Sequence, residues 1–302
     1  MKVLNCSHIA DTGGNGWRTK LAFQKLTDWD YRTVCRTSNY IDYPQDLPWS
    51  DAYAHWVASD VVHVRDGFQA QARLEAPDRP TVIHHHGTLW RKNKDELLQI
   101  QREKKAVGLA ATLDIYLDAP DDLEWMPALY DIGWLHRFRE LSHLPNDGVL
   151  RVGHNPTNRT VKSTDLLIQA IDRLKRKIKI ELVLTEKVSW DQSLRAKAEV
   201  DVYFDQALLG YGNNAIEAWG MQIPVIAGAE DRTLAEMKRR FGNLPFLQVS
   251  NSVRSIEQAI LLLADSDTWL RWSTIGHQHA RTWHSDRVVV PMLQKVYERV
   301  AR

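Results

Sequence analysis

The sequence predicts an α/β protein made of two parallel-sheet halves, and three observations carry that reading. Short apolar runs alternate with longer amphipathic stretches, the pattern of strand–helix–strand units. The alternation starts afresh beyond the mid-chain turn signal Asn146-Asp147-Gly148. The chain has 302 residues, 44% apolar and 25% charged, which suits about two domains with sizeable cores.

In the first half, Val3–Cys6 reads as a strand, followed by the loop Asp11-Thr12-Gly13-Gly14-Asn15-Gly16 and a helical stretch through Leu26. Tyr31–Cys35, Asp60–Val64 and Thr81–His85 read as further strands, and Lys94–Ala106 has helical composition. In the second half the strands are Val149–Gly153, Ile180–Leu184, Val202–Phe204 and Pro224–Ala227. Asp165–Leu174 and Arg254–Ala264 carry apolar residues at helical spacing, and the Trp269–Trp283 region and Arg287–Val300 read as closing helices. The expected domains are 1–147, 148–285 and a C-terminal helix, 286–302, returning toward the first domain. Open parallel sheets bind ligands outside the carboxyl ends of their strands, so the loops after strands are the place to search.

Composition removes several function classes. The net charge of +1 provides no global attraction to nucleic acid or anionic membrane. Cys6 and Cys35, both in predicted strands, are too few for a disulfide framework and read as reduced core residues. The N-terminus Met1-Lys2-Val3-Leu4-Asn5-Cys6 lacks a signal-peptide apolar region, and no apolar run reaches the roughly 18 residues of a membrane helix. A soluble, cytoplasmic protein is expected. The twelve tryptophans read mainly as packing residues, with stacking on sugars or bases as the functional alternative. There is no G-x-S-x-G elbow and no G-x-x-x-x-G-K-[ST] loop, so hydrolase and P-loop readings have little support.

The most informative stretch runs Gly210-Tyr211-Gly212-Asn213-Asn214-Ala215-Ile216-Glu217-Ala218-Trp219-Gly220-Met221-Gln222-Ile223-Pro224-Val225-Ile226-Ala227. Glycines allow close backbone approach to a ligand, and the following helix points its positive end at the loop, which suits a phosphate. Glu217 lies about one turn into that helix. The stretch resembles the donor-nucleotide motif of GT-B glycosyltransferases, and in particular the retaining glycosyltransferase family 4 (glycosyl transferases group 1). The segment from Gly153 to Leu174 and the Pro-containing run from Trp125 to Asp131 share the resemblance.

The resemblance implies two Rossmann-like domains facing a central cleft. It implies transfer of a sugar from a nucleotide-diphosphate sugar, UDP-sugar by default, to a hydroxyl acceptor, with retention and with neither metal nor cofactor. Glu217 matches the acid that meets the ribose hydroxyls, with Gly212, Asn213 and Asn214 at the phosphates or sugar. The family's earlier acid falls on Leu209 here, so a role needing it is in doubt. In the run from His154 to Asp165, Arg159 and Lys162 match the cations that neutralise the diphosphate, with Ser163 at the common glycine. For Glu217 the plain alternative is a helix-terminal acid; for Arg159 and Lys162 it is a solvated loop.

Gly13-Gly14-Asn15-Gly16 either brings amides to a donor phosphate, with Gly13 and Gly14 as donor-binding residues, or shapes an acceptor pocket, or is only a flexible turn. His84-His85-His86 ends a strand. Alternating faces keep the three imidazoles from converging on one metal ion. The resemblance implies a histidine at the transferred sugar; His86 is the choice and His85 the substitute, with structural packing of His84 and His86 as the plain alternative. Asp28-Trp29-Asp30 and Asp265-Ser266-Asp267 match the metal-binding D-x-D of GT-A enzymes only superficially and read as polar turns. The acceptor, a glycan, a small molecule or a modified DNA base, is left open. So are a nucleotide-sugar epimerase and a non-catalytic nucleotide-sugar-binding protein.

Overall fold

The computed structural model describes residues 1–11, 13–65, 68–140 and 147–302. Thr12 of the glycine loop and Asn146 of the mid-chain turn lie outside the described residues. The chain forms two compact units: Met1–Leu129 with Asp286–Arg302, and Tyr130–Ser285.

The first unit contains β1 (Lys2–Ser7), α1 (Asn15–Leu26), β2 (Asp30–Cys35), α2 (Ala52–Ala58), β3 (Val61–Val64), α3 (Gln69–Leu74), β4 (Thr81–His85), α4 (Gly87–Glu103), β5 (Val107–Ala110), α5 (Leu113–Asp118) and β6 (Leu123–Trp125). Its strands pair in parallel in the order β2-β1-β3-β4-β5-β6. Alternation along each strand feeds two cores. Val3, Tyr31, Val61 and Val82 face one cluster, while Leu4, Val34, Val62 and Ile83 face the other with Trp56. The connection from β2 to β3 crosses β1, so the switch point of the sheet lies between β1 and β3. A first helical segment opens at Gly87, directly after the histidine run, and a kink at Asn93 (φ −135°) separates it from the helix read from Lys94, which ends at Glu103.

The second unit contains α6 (Ile132–Glu140), β7 (Leu150–His154), α7 (Thr164–Leu174), β8 (Ile180–Leu184), α8 (Trp190–Ala198), β9 (Val202–Phe204), β10 (Leu209–Gly210), α9 (Asn213–Gly220), β11 (Val225–Ala229), α10 (Asp231–Phe241), β12 (Leu247–Gln248), α11 (Val253–Leu263) and α12 (Ser266–His279). A π-turn over Ala280–His284 ends it. The sheet order is β10-β11-β9-β7-β8 with β12 on β11; only β10 runs antiparallel to its neighbour. Its switch point lies between β7 and β9. Helix α7 buries Leu167, Ala170, Ile171 and Leu174, one helical stripe, against Val152, Val202, Phe204 and Ile226.

Helix α6 precedes the division read at 147/148, yet it packs on α8 and α9 in the second unit. The last helix, α13 (Asp286–Ala301), packs on α1, β3 and β4 in the first unit through Val289, Val290, Leu293, Val296 and Tyr297. Asp30 opens β2, and Asp265 caps α12, accepting from the Thr268 amide at 2.9 Å. Cys6 and Cys35 are buried and not joined in a disulfide.

Candidate functional site

In the second unit the residues singled out from sequence collect around the switch point. β7 ends in His154, whose ring sits 2.9 Å from the Phe204 carbonyl and 2.8 Å from the Thr164 hydroxyl. A carbonyl only accepts, so Nδ1 carries the proton and Nε2 accepts from Thr164. Burial pushes the His154 pKa down to about 4, so the ring is a neutral strut tying β7, β9 and the start of α7 together. The loop between closes in helical turns, with Lys162 N bonded to Asn158 O at 3.1 Å and Thr164 N to Arg159 O at 3.0 Å. Ser163 takes φ 54°, the left-handed region that favours glycine.

Lys162 turns inward and Arg159 outward. Lys162 Nζ lies 2.6 Å from Asp205 Oδ1, and the other oxygen of Asp205 accepts the Gly212 amide at 2.7 Å. One carboxylate, 1% exposed at its side chain, thus spans the loop after β7 and the glycine turn before α9. Arg159 instead forks onto Glu186 beyond β8, with Nε 2.8 Å from Oε1, and is half-exposed. The two cations share no carboxylate.

Helix α9 starts at Asn213 behind Gly212, with no side-chain cap. Asn214 is locked on both sides: its Oδ1 accepts from Lys197 Nζ at 3.0 Å and its Nδ2 donates to Asn155 O at 2.8 Å. Glu217 is 2% exposed. Its Oε1 accepts from Trp190 Nε1 at 2.9 Å and from the Tyr130 hydroxyl at 3.3 Å, and its Oε2 pairs with Lys197. Glu217 is therefore an interior carboxylate held by three donors. A ribose hydroxyl reaches it only if one of these donors yields.

In the first unit, Gly14 follows β1 with φ 63° and donates its amide to Asp11 O at 2.9 Å. Asp11 forms a buried ion pair with Arg65, which follows β3, and accepts the Trp17 amide at 3.1 Å. Gly16 brings α1 close to the sheet: a β-carbon there would meet Thr33 Oγ1 at 2.6 Å and Arg65 Nη2 at 2.8 Å. Alternation separates the histidine run as expected from strand geometry. His84 stacks on His63 with centroids 5.4 Å apart, and His86 lies 4.5 Å from His84. His85 points to the other face, bonded to Gln101 at 2.7 Å and set against Trp90.

Burial, with Arg65 next in weight, pushes the His86 pKa down to about 3. Burial also takes His85 down to about 4 and His63 and His84 well below the ordinary range. All four imidazoles are neutral at neutral pH. Among the described residues, Nε2 of His63, His84 and His86, Asn5 Oδ1, Thr33 Oγ1 and Arg65 Nε find no hydrogen-bond partner, and all of them lie on or directly after β1 to β4. Among the described residues no group of three or more His, Cys, Asp or Glu side chains is arranged to hold a metal ion, and no helix is long and apolar enough to cross a membrane.

Sequence reasoning passed over Asp205, Lys197, Trp190, Asp11 and Arg65. Asp205 was findable, because it follows β9 directly at a sheet's carboxyl end. Ser189-Trp190-Asp191-Gln192 closes a capping box at the start of α8, a sequence signal for the helix that delivers Lys197.

No protein-family model and no curated protein matches the chain. Solved structures do match over the whole length. The crystal structure of Anabaena HepE in complex with UDP-glucose superposes with a TM-score of 0.66 at 14% identity, covering 100% of this chain and 99% of that one. A glycosyltransferase from Rickettsia africae gives 0.64 at 11% identity, covering 100% and 98%. An alpha-glucosyltransferase in complex with UDP and a 13-mer DNA containing an HMU base gives 0.64 at 10%, covering 99% of each chain. At such identities the likeness defines the fold: this chain has the GT-B fold of α/β glycosyltransferases.

Proposed function

We propose that the protein is a glycosyltransferase moving a sugar from a nucleotide-diphosphate sugar, UDP-sugar by default, to a hydroxyl acceptor, with retention and without a metal. The observation that carries the reading is the Lys162–Asp205–Gly212 constellation at a parallel-sheet switch point, in a chain alike over its full length to a structure bound to UDP-glucose. Lys162 has ammonium protons beyond the one given to Asp205 and meets the diphosphate as a compact charge; Arg159 joins it by leaving Glu186. Asn213 and Asn214 meet the phosphates or sugar, Glu217 the ribose, and Gly13 and Gly14 belong to the polar loop of the first unit.

The bond from the sugar's anomeric carbon to the leaving phosphate oxygen breaks, and a bond from that carbon to the acceptor oxygen forms on the same face. The acceptor proton passes to the leaving phosphate oxygen, so no separate protein base is needed. The diphosphate gains negative charge, which Lys162 and Arg159 offset. The sugar gains positive charge, and we assign His86 to it. A neutral imidazole, as burial makes His86, does not repel that charge. Two buried cysteines that form no disulfide suit a reducing cytoplasm.

A thermal-shift panel of nucleotides and nucleotide sugars tests the donor reading, since a native-state ligand raises the melting temperature by mass action. A UDP-sugar that shifts the melt and is turned over supports it; a panel with no shift removes it. A modified DNA base is the second reading of the acceptor, favoured by the likeness to the alpha-glucosyltransferase complexed with DNA. Salt-dependent duplex binding distinguishes it from a glycan or small-molecule acceptor.

A further inference from the structure

We infer that Lys197 is a positioning residue for the nucleotide end of this site, an inference that rests on the donor reading above. Lys197 is 1% exposed, and its side chain is fully buried. Lysine is almost never buried so completely unless paired. Its ammonium pairs with Glu217, donates to Asn214 Oδ1 at 3.0 Å, and stands 5.1 Å over the Tyr203 ring. From Asn214 the network continues to the Asn155 carbonyl at 2.8 Å, and the Asn155 amide returns to the Tyr203 hydroxyl at 3.0 Å. The ring of contacts closes on itself around the start of α9.

Helix α8 grips α9 at two points. Trp190 and Lys197, two turns apart on one face of α8, reach opposite oxygens of the same Glu217 carboxylate. An apolar pair would fill this volume without the desolvation cost of two buried charges. It would not orient an amide, however. Only a donor at the position of Lys197 Nζ sets the Asn214 side chain so that its Nδ2 meets Asn155, which holds the first turn of α9 on the loop after β7. Lys197 contacts no substrate in this scheme and acts through Asn214 and Glu217.

The test compares wild type, Lys197→Met, Glu217→Gln and the double variant. UDP affinity is measured by calorimetry, amide exchange over 213–217 without ligand, and kcat and KM on the UDP-sugar that wild type turns over. Lys197→Met is expected to weaken UDP binding at least tenfold and raise KM, with kcat within about threefold of wild type. Exchange over 213–217 should accelerate, and Glu217→Gln should add little to that acceleration in the Lys197→Met background. Wild-type affinity and exchange in a folded Lys197→Met protein would overturn the inference. If the single variant does not fold, amide exchange over 213–217 in the double variant, which leaves no charge unpaired, decides: exchange faster than wild type supports the inference and wild-type exchange overturns it. If wild type itself binds no UDP, the donor reading falls, and exchange over 213–217 alone decides the positioning role.

Discussion

Lys162 Nζ lies 2.6 Å from Asp205 Oδ1. An anion of the protein itself thus holds the cation assigned to the substrate diphosphate, and the second oxygen of that anion holds the Gly212 amide at 2.7 Å. Asp205 sets the loop after β7 against the glycine turn before α9.

Lys162→Ala is expected to weaken UDP affinity by ~1.5–3 kcal/mol, the worth of a charge-assisted contact. Arg159→Ala should cost less in binding, because Arg159 must first leave Glu186, and it should leave stability nearly unchanged, as loss of an exposed pair does. Calorimetry with UDP and denaturant melts measure both. Unchanged affinity in both variants would remove this loop from the donor site.

Glu217→Gln leaves the Lys197 ammonium buried without its counter-charge. Losing one partner of a buried pair costs ~3–5 kcal/mol, so a clear fall in urea midpoint should accompany weaker nucleotide binding. A variant as stable as wild type would show that the pair is not maintained in solution.

Acid should destabilise the protein well before its carboxylates titrate. His85 and His154 are depressed to about 4 and His86 to about 3 from an ordinary 6.5. Above pH 6.5 both folded and unfolded states leave these rings neutral, and stability is unaffected. As pH falls from 6.5 toward the folded values, only the unfolded state takes up protons. Stability then drops by about 1.4 kcal/mol per pH unit for each group. Urea melts between pH 7.5 and 5 check this; a flat profile contradicts the buried, neutral state of these rings.

His86→Ala should lower turnover more than donor affinity, because the proposed contact strengthens as the sugar departs. In the same assay, turnover should survive exhaustive EDTA treatment if Lys162 and Arg159 supply the positive charge as proposed. Activity abolished by chelation and restored by a divalent ion would reject the metal-independent mechanism. Normal turnover in His86→Ala would return the ring to packing.

Gly16→Ala puts a β-carbon 2.6 Å from Thr33 Oγ1 and 2.8 Å from Arg65 Nη2. Overpacking of this kind costs ~1–3 kcal/mol, measurable as a lowered urea midpoint. An unperturbed midpoint would mean that α1 does not approach the sheet this closely.

The long apolar strands, the amphipathic α7 and α11, and the glycine turn before α9 were legible in the chain, because periodicity and turn chemistry are local properties. Alternation alone was also enough to part His85 from His84 and His86. β5 and β6 were not read as strands, being short segments whose strand character comes from pairing with β4 and with each other. α6 falls before the mid-chain turn, and only its packing on α8 and α9 assigns it to the second unit.

The residues proposed for the donor divide in the same way. Their types and spacing were in the sequence, but their partners were not. Asp205 lies 43 residues from Lys162 and Lys197 lies 20 from Glu217, separations over which no local pattern says which charges meet. Lys197 reads locally as one more cation on a charged helix, since sequence gives a lysine no sign of burial. The tertiary structure alone removes it from water, and removal from water is what turns that cation into the counter-ion of Glu217.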